Sequence, residues 1–377
     1  MIKMSIASSV LAVAAFSQAC NATTIKTQYD FTSPTAAYGG FVVAKNGTMY
    51  TTAGAGGAGG QGGLLQFDPS SKVATLLYSF QGGADGAQPV PGLALMKDGI
   101  LYGATATGGT SNLGTVFKFD IKSGTETVLH SFSGSDGQTP QYGPVVGANG
   151  SLYGTTSVGG TSNLGVAYSL KPSSGKEAVI VNFTGTNGSH PNALTVGPAG
   201  LLYGTSANGG AYTYYGNLFT IDTATSVQTI LYSFNGNERM QSPSWAVIVG
   251  QNGLIYGTGS LDGFSFDPAT GVASDLDSYS SGCDPSAALI SDASGNLYGT
   301  CHNGGGFGVV FEYSPASSVT TDLWTFDGAP YFKVVKGAEP AGIAFGKDGR
   351  IYGATLAGGS TWKIDPPGYG LIYRLVP

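Results

Sequence analysis

Leu101-Tyr-Gly-Ala-Thr-Ala-Thr-Gly-Gly-Thr-Ser-Asn-Leu-Gly-Thr-Val-Phe-Lys-Phe119 decides the fold, because near copies of it run the length of the chain. Its Leu-Tyr-Gly core recurs around Tyr50, Tyr102, Tyr153, Tyr203, Tyr256, Tyr298 and Tyr352, at intervals of 52, 51, 50, 53, 42 and 54 residues. A fixed period of this length is the signature of a repeat architecture. Before each core lies a short apolar run such as Leu93-Ala-Leu-Met96, closed in five of the units by Asn-Gly or Asp-Gly: Asn46-Gly47, Asp98-Gly99, Asn149-Gly150, Asn252-Gly253, Asp348-Gly349. These dipeptides supply the positive φ of tight hairpins, and type I′ turns are expected there. After the core come a glycine-rich connection, a third apolar run such as Thr115–Phe119, a turn, and a fourth run such as Thr127–Phe132.

Each unit thus carries four short strands, and no stretch holds a 3.6-residue apolar period long enough for a helix. One such unit cannot bury both faces of its sheet, but stacking against neighbours does so. Radial stacking of four-stranded units is the β-propeller solution. The reading is all-β: a seven-bladed β-propeller over residues 23–377. Thr24-Ile-Lys-Thr-Gln-Tyr-Asp-Phe31 matches the fourth-strand pattern of Leu76–Phe80 and Ile230–Phe234. It is therefore expected to complete the last blade, one strand from the start and three from the end, with Leu371–Leu375 as the third strand. The alternative puts Ser360–Asp365 third and leaves the N-terminal strand surplus.

The pattern Leu-Tyr-Gly-Thr-Thr…Gly-Gly…Gly-Thr-Val-Phe, at 101–119, 152–168 and 297–311, resembles the GloVer tandem-repeat family of bacterial exported proteins. Unit one departs, with Met49-Tyr-Thr-Thr52, and unit five is shortened. The resemblance implies a secreted or cell-surface propeller and carries no catalytic set to transfer.

Composition narrows the function. Charged residues are only 10%, against about 25% in an average soluble domain, and 22 acids face 16 bases. Nucleic acid needs concentrated positive charge, so it is not an expected partner. Lys3, the apolar Ile6–Phe16 and the small residues through Ala22 read as a signal peptide over 1–22, too short to span a bilayer. A secreted or periplasmic monomer with no membrane span is expected. Lipid anchoring through Cys20 is the lesser alternative, since Ser17 stands where a lipobox has Leu.

Departures from the repeat in the loops are not needed for the scaffold and mark the candidate site residues. Tyr212, Tyr214 and Tyr215 replace the usual Thr-Ser-Asn-Leu and offer flat amphipathic surfaces for sugar or peptide. His190 and His302 fall on the same loop face and are candidate acid–base groups. Glu238 and Arg239 occupy the next such loop, where the guanidinium suits a carboxylate. Tyr331 and Lys333 lie in the long variant loop 327–340. His130 takes a slot held elsewhere by Tyr29, Tyr78, Tyr232 and Trp324, so packing is its expected job. Asp85 and Asp136 suit turns better than calcium, because Asn187 fills the same slot. No metal or cofactor is expected. Cys283 and Cys301 are placed for a disulfide, with Cys301 near the level of Ser286. The leading function is a binding module for carbohydrate or a protein partner. The alternatives are a polysaccharide lyase or hydrolase, and a structural spacer.

Overall fold

The computed structural model describes residues 24–33, 37–236, 240–260, 262–276, 284–302, 307–326, 335–359 and 369–376. Within them, strands assemble into seven antiparallel sheets, one per repeat. Blade 1 runs Tyr38–Val43, Met49–Ala53, Gly63–Asp68, Val73–Ser79 from axis to rim. The inner strands of blades 3 and 6 are shorter, Val145–Val146 and Ile290–Ser291. Blade 7 is ordered Val335–Phe345, Ile351–Gly359, Leu371–Val376, Thr24–Asp30. The N-terminal strand pairs antiparallel with the last one, from Thr24 opposite Val376 to Asp30 opposite Leu371. The one-plus-three closure holds, and Leu371–Val376 is the third strand. Residues 360–365 lie outside the described residues.

The chain has no single core. Seven apolar clusters fill seven seams, one between each pair of adjacent blades. A phenylalanine just after the outer strand stitches most of them, lying edge-on against a third-strand aromatic of the next blade: Phe80 on Phe117, Phe132 on Tyr168, Phe234 on Phe264, with centroids 5.1–5.3 Å apart. Phe31 does the same work at the closing seam, packed with Phe41, Met49 and Leu65.

The seam aromatics explain the glycine of Leu-Tyr-Gly. Gly154 pairs with Tyr168, and a Cβ there would sit 2.3 Å from the tyrosine oxygen. Gly103 stands likewise against Phe117 and Gly299 against Phe311. In blade 1 the partner is Leu65, smaller and flexible, and the glycine becomes Thr51. The departure of unit one from the family pattern is thus a compensated exchange.

The hairpins correct one expectation. Gly47, Gly99 and Gly150 have positive φ, but Asn46, Asp98 and Asn149 do not. Gly47 N–H donates to the Ala44 carbonyl and Ala44 N–H to that of Thr48. This is a three-residue loop ending in a left-handed glycine bulge, not a two-residue type I′ turn. The Asn or Asp side chain accepts the N–H two residues on, as Asn46 does from Thr48 at 3.1 Å. Unit four uses a 3₁₀ turn, Pro198–Gly200, instead.

Outer strands carry a recurrent bulge, as between Val128 and His130 and at the matching point before Tyr29. It turns the Tyr-or-His position back onto the seam. Tyr78, Tyr232 and His130 there lie edge-on to Phe80, Phe234 and Phe132.

Candidate functional site

Each Leu-Tyr-Gly tyrosine pairs with one inner-strand residue: Val42, Ala94, Val145, Thr195, Ile248, Ile290 or Ala344. Two residues before these stand Gly40, Gly92, Gly143, Ala193, Ala246, Ala288 and Gly342. They form a belt of the smallest side chains around the axis, for a steric reason. A Cβ on Gly143 would lie 1.6 Å from the Gly92 carbonyl oxygen, and one on Gly342 2.5 Å from the Gly40 nitrogen.

One position nearer the loop face the belt opens into variety: Gly39, Pro91, Tyr142, Asn192, Trp245, Ala287 and Ala341. Two of these are large. Tyr142 of blade 3 and Trp245 of blade 5 meet edge-to-face, with centroids 5.5 Å apart. The Trp245 Nε1–H donates to the Pro285 carbonyl of blade 6 at 3.0 Å. Trp245 holds a φ of 65°, a costly conformation for a bulky residue and one that persists where the surroundings impose it. Both rings line an axial cavity of about 430 Å³ bounded by residues from all seven blades. Its wall is chiefly Gly, Ala, Val, Leu and Ile, and Tyr142 is the titratable group among the described lining residues.

Around the loop-face end runs a second feature. Gln88, Thr139, His190, Ser242 and Glu339 share one backbone conformation, φ 49–56°, and each precedes a proline. Every one donates its N–H to a loop carbonyl of the preceding blade: Gln61, Leu113, Leu164, Tyr215 and Phe307. Asp284 fills the matching slot of blade 6, before Pro285. One scaffold therefore presents five different side chains, and the same sequence slot in blade 6 holds a sixth. Gln88, His190, Asp284 and Glu339 are exposed.

The expected site residues separate. Tyr212 and Tyr214 are exposed, Tyr214 at 73%, whereas Tyr215 packs into the blade 4–5 seam. His190 is exposed on the crown. His302 directly follows the second strand of blade 6 and donates its N–H to the Asp284 carbonyl. Burial holds its imidazole below the usual value, against the pull of the Asp284 and Glu339 carboxylates. No hydrogen bond or ion pair joins His190 to His302 among the described residues. Glu238, Arg239, Tyr331, Lys333 and Cys283 lie outside the described residues. Cys301 is buried and bridges Pro285, one residue off the expected level of Ser286.

His130 packs edge-on to Phe132, and its Nε2 lies 2.9 Å from Asp136 Oδ2. Asp85 and Asp136 close turns, accepting the Gln81 and Ser133 N–H groups. Tyr142 and Trp245 lie at the innermost strands and not in the variant loops where the sequence departs most visibly from the repeat. Their signal was a large residue where the other units have Gly, Pro, Ala or Asn.

The model of the Gloeobacter/Verrucomicrobia repeat matches residues 12–214 and 190–377. No curated protein matches the chain. Among solved structures, a streptogramin B lyase is similar at 15% identity, with TM-score 0.66, over 96% of this chain and 99% of its own. The virginiamycin B lyase of Staphylococcus aureus is similar at 14% identity and TM-score 0.66, over 94% and 99%. An oligogalacturonate lyase in complex with manganese is similar at 14% identity and TM-score 0.63, over 94% and 96%. At such identities the likeness is one of fold.

Proposed function

The chain belongs to the Gloeobacter/Verrucomicrobia repeat family, and from that premise we propose that its ring is a binding module that seats a carbohydrate or peptide at the axis. The observation that carries this is the Trp245–Tyr142 pair over an apolar cavity. An aromatic face takes the C–H face of a sugar ring or an apolar side chain. The crown residues Gln88, His190, Asp284 and Glu339, with Tyr212 and Tyr214 farther out, supply polar and aromatic contacts. A cavity wall with so few titratable groups favours holding a ligand over transforming it.

The test is a glycan array and a peptide library, followed by titration of hits by tryptophan fluorescence. Trp245→Ala and Tyr142→Ala are expected to abolish binding without unfolding the ring. Hits that bind both variants as well as the parent would remove the axial site. Glu238, Arg239, Tyr331 and Lys333 enter this reading as outer contacts, tested by alanine substitution with the same hits.

A second reading, a polysaccharide lyase or hydrolase, is favoured by His302 standing beside Asp284 and Glu339, with His190 and Arg239 as further candidates. A depolymerisation screen decides it. Product formation lost in His302→Ala would replace binding by catalysis.

We also infer that residues 1–22 are removed on export, giving a secreted or periplasmic monomer, and that Cys283 joins Cys301. What supports the pairing is that Pro285, two residues after Cys283 in the sequence, bridges Cys301. Mass spectrometry with and without reduction reads both the new N-terminus and the bond. Two free thiols would remove the disulfide.

A further inference from the structure

We propose that His130, Asp136 and Glu177 form a divalent metal site, suited to Zn²⁺, on the seam between blades 2 and 3. His130 is the next-to-last residue of the outer strand of blade 2, Asp136 lies in the turn leading to blade 3, and Glu177 is the second residue of that blade's outer strand. One ligand atom from each lies within 4.8 Å of the other two. Ligands held at about 2.0–2.2 Å from one tetrahedral ion stand roughly 3.3–3.6 Å apart, so the set closes when the side chains draw together by about an ångström. The bulge before His130 aims the imidazole at the seam, and its edge contact with Phe132, 5.0 Å between centroids, fixes the ring plane. A cation would take the place of the 2.9 Å His130 Nε2–Asp136 Oδ2 contact, with both atoms turning to it. Glu177 Oε1 is buried with no hydrogen-bond partner, an acceptor that the ion would satisfy. The His130 and Asp136 side chains keep 18% and 19% exposure, which leaves room for water as a fourth ligand.

Two sister seams act as internal controls. Between blades 1 and 2 the same slots hold Tyr78, Asp85 and Glu126, with the Tyr78 hydroxyl donating to Asp85 Oδ2 at 3.0 Å. Glu126 Oε1 is orphaned there too, but that seam offers no nitrogen ligand. Between blades 3 and 4 the acids become Asn187 and Gln228, which bond each other at 2.8 and 3.1 Å and need nothing further. The imidazole together with two carboxylates is what singles out blades 2 and 3, and borderline-soft nitrogen with oxygen selects zinc-like ions over calcium.

The experiment is calorimetric titration of the EDTA-treated full chain with ZnCl₂, alongside CaCl₂, and a Co²⁺ absorption spectrum to report coordination. One Zn²⁺ per chain is expected. His130→Tyr, which installs the residue of the neighbouring seam, and Glu177→Gln are each expected to weaken binding at least tenfold and to lose the Co²⁺ band. Glu126→Gln should leave both unchanged. No zinc uptake, uptake equal in Glu177→Gln, or Ca²⁺ bound as tightly as Zn²⁺ would overturn the site. If His130→Tyr does not fold, Glu177→Gln alone decides.

Discussion

Glu126 meets Asp85 across the seam between blades 1 and 2, and burial first, then the Asp85 charge, push its carboxyl up to about 7. A carboxyl raised on folding binds its proton more tightly in the native state. Its contribution is therefore whole at pH values below the unfolded-state pKa and is lost as pH rises through about 7. Glu126→Gln, which imitates the natural Gln228, should raise the melting temperature by a few degrees at pH 8 and hardly at all near pH 4. Melts across that range check it, and equal gains at both ends would contradict the assignment. The glycine–aromatic pairs make a second residue-scale prediction. Gly154→Ala overpacks the Tyr168 ring and should cost about 1–3 kcal/mol. Combined with Tyr168→Leu, the blade 1 solution, the cost of the added methyl should largely disappear in a double-mutant cycle. Additive costs would show that the two residues do not share space. Much at this scale was legible: tyrosines at the matching positions of other units point to packing for His130, which lies edge-on to Phe132. Tyr142 and Trp245 were not, because they lie two blades apart in the chain and meet only once the ring is formed.

At the scale of elements, four runs per unit and the spacing of the tyrosines located the strands. Hairpin geometry was less legible, since Asn-Gly suits both a two-residue turn and a three-residue loop with a glycine bulge. The register between Ala44 and Thr48 decides it. The outer-strand bulges left no mark beyond an alternation that slips by one residue before Tyr29, Tyr78 and His130. The N-terminal strand is the element with most consequence. Phe31 is 3% exposed in the closing seam, so Phe31→Ala should cost about 3–5 kcal/mol. Phe31→Leu should cost much less, because Leu276 serves in the matching place of blade 5. Chemical denaturation of the pair measures this. Equal, small losses would mean that the strand does not carry the seam.

For the molecule as a whole, seven seams of comparable make-up share the burial that other folds place in one core. An open ring would leave the blade 7 and blade 1 faces wet and the axial cavity without a fixed shape. Closure by the two chain ends is thus what holds Trp245 opposite Tyr142, and the proposed binding depends on it. Thr24 and Val376 face each other across the closing pair, at a spacing that a disulfide can bridge. The decisive measurement is the oxidation of a Thr24→Cys, Val376→Cys variant. The closed ring predicts rapid, near-complete cross-linking of the folded chain and a higher melting temperature that falls back on reduction. Thiols that stay free in the folded protein would contradict it.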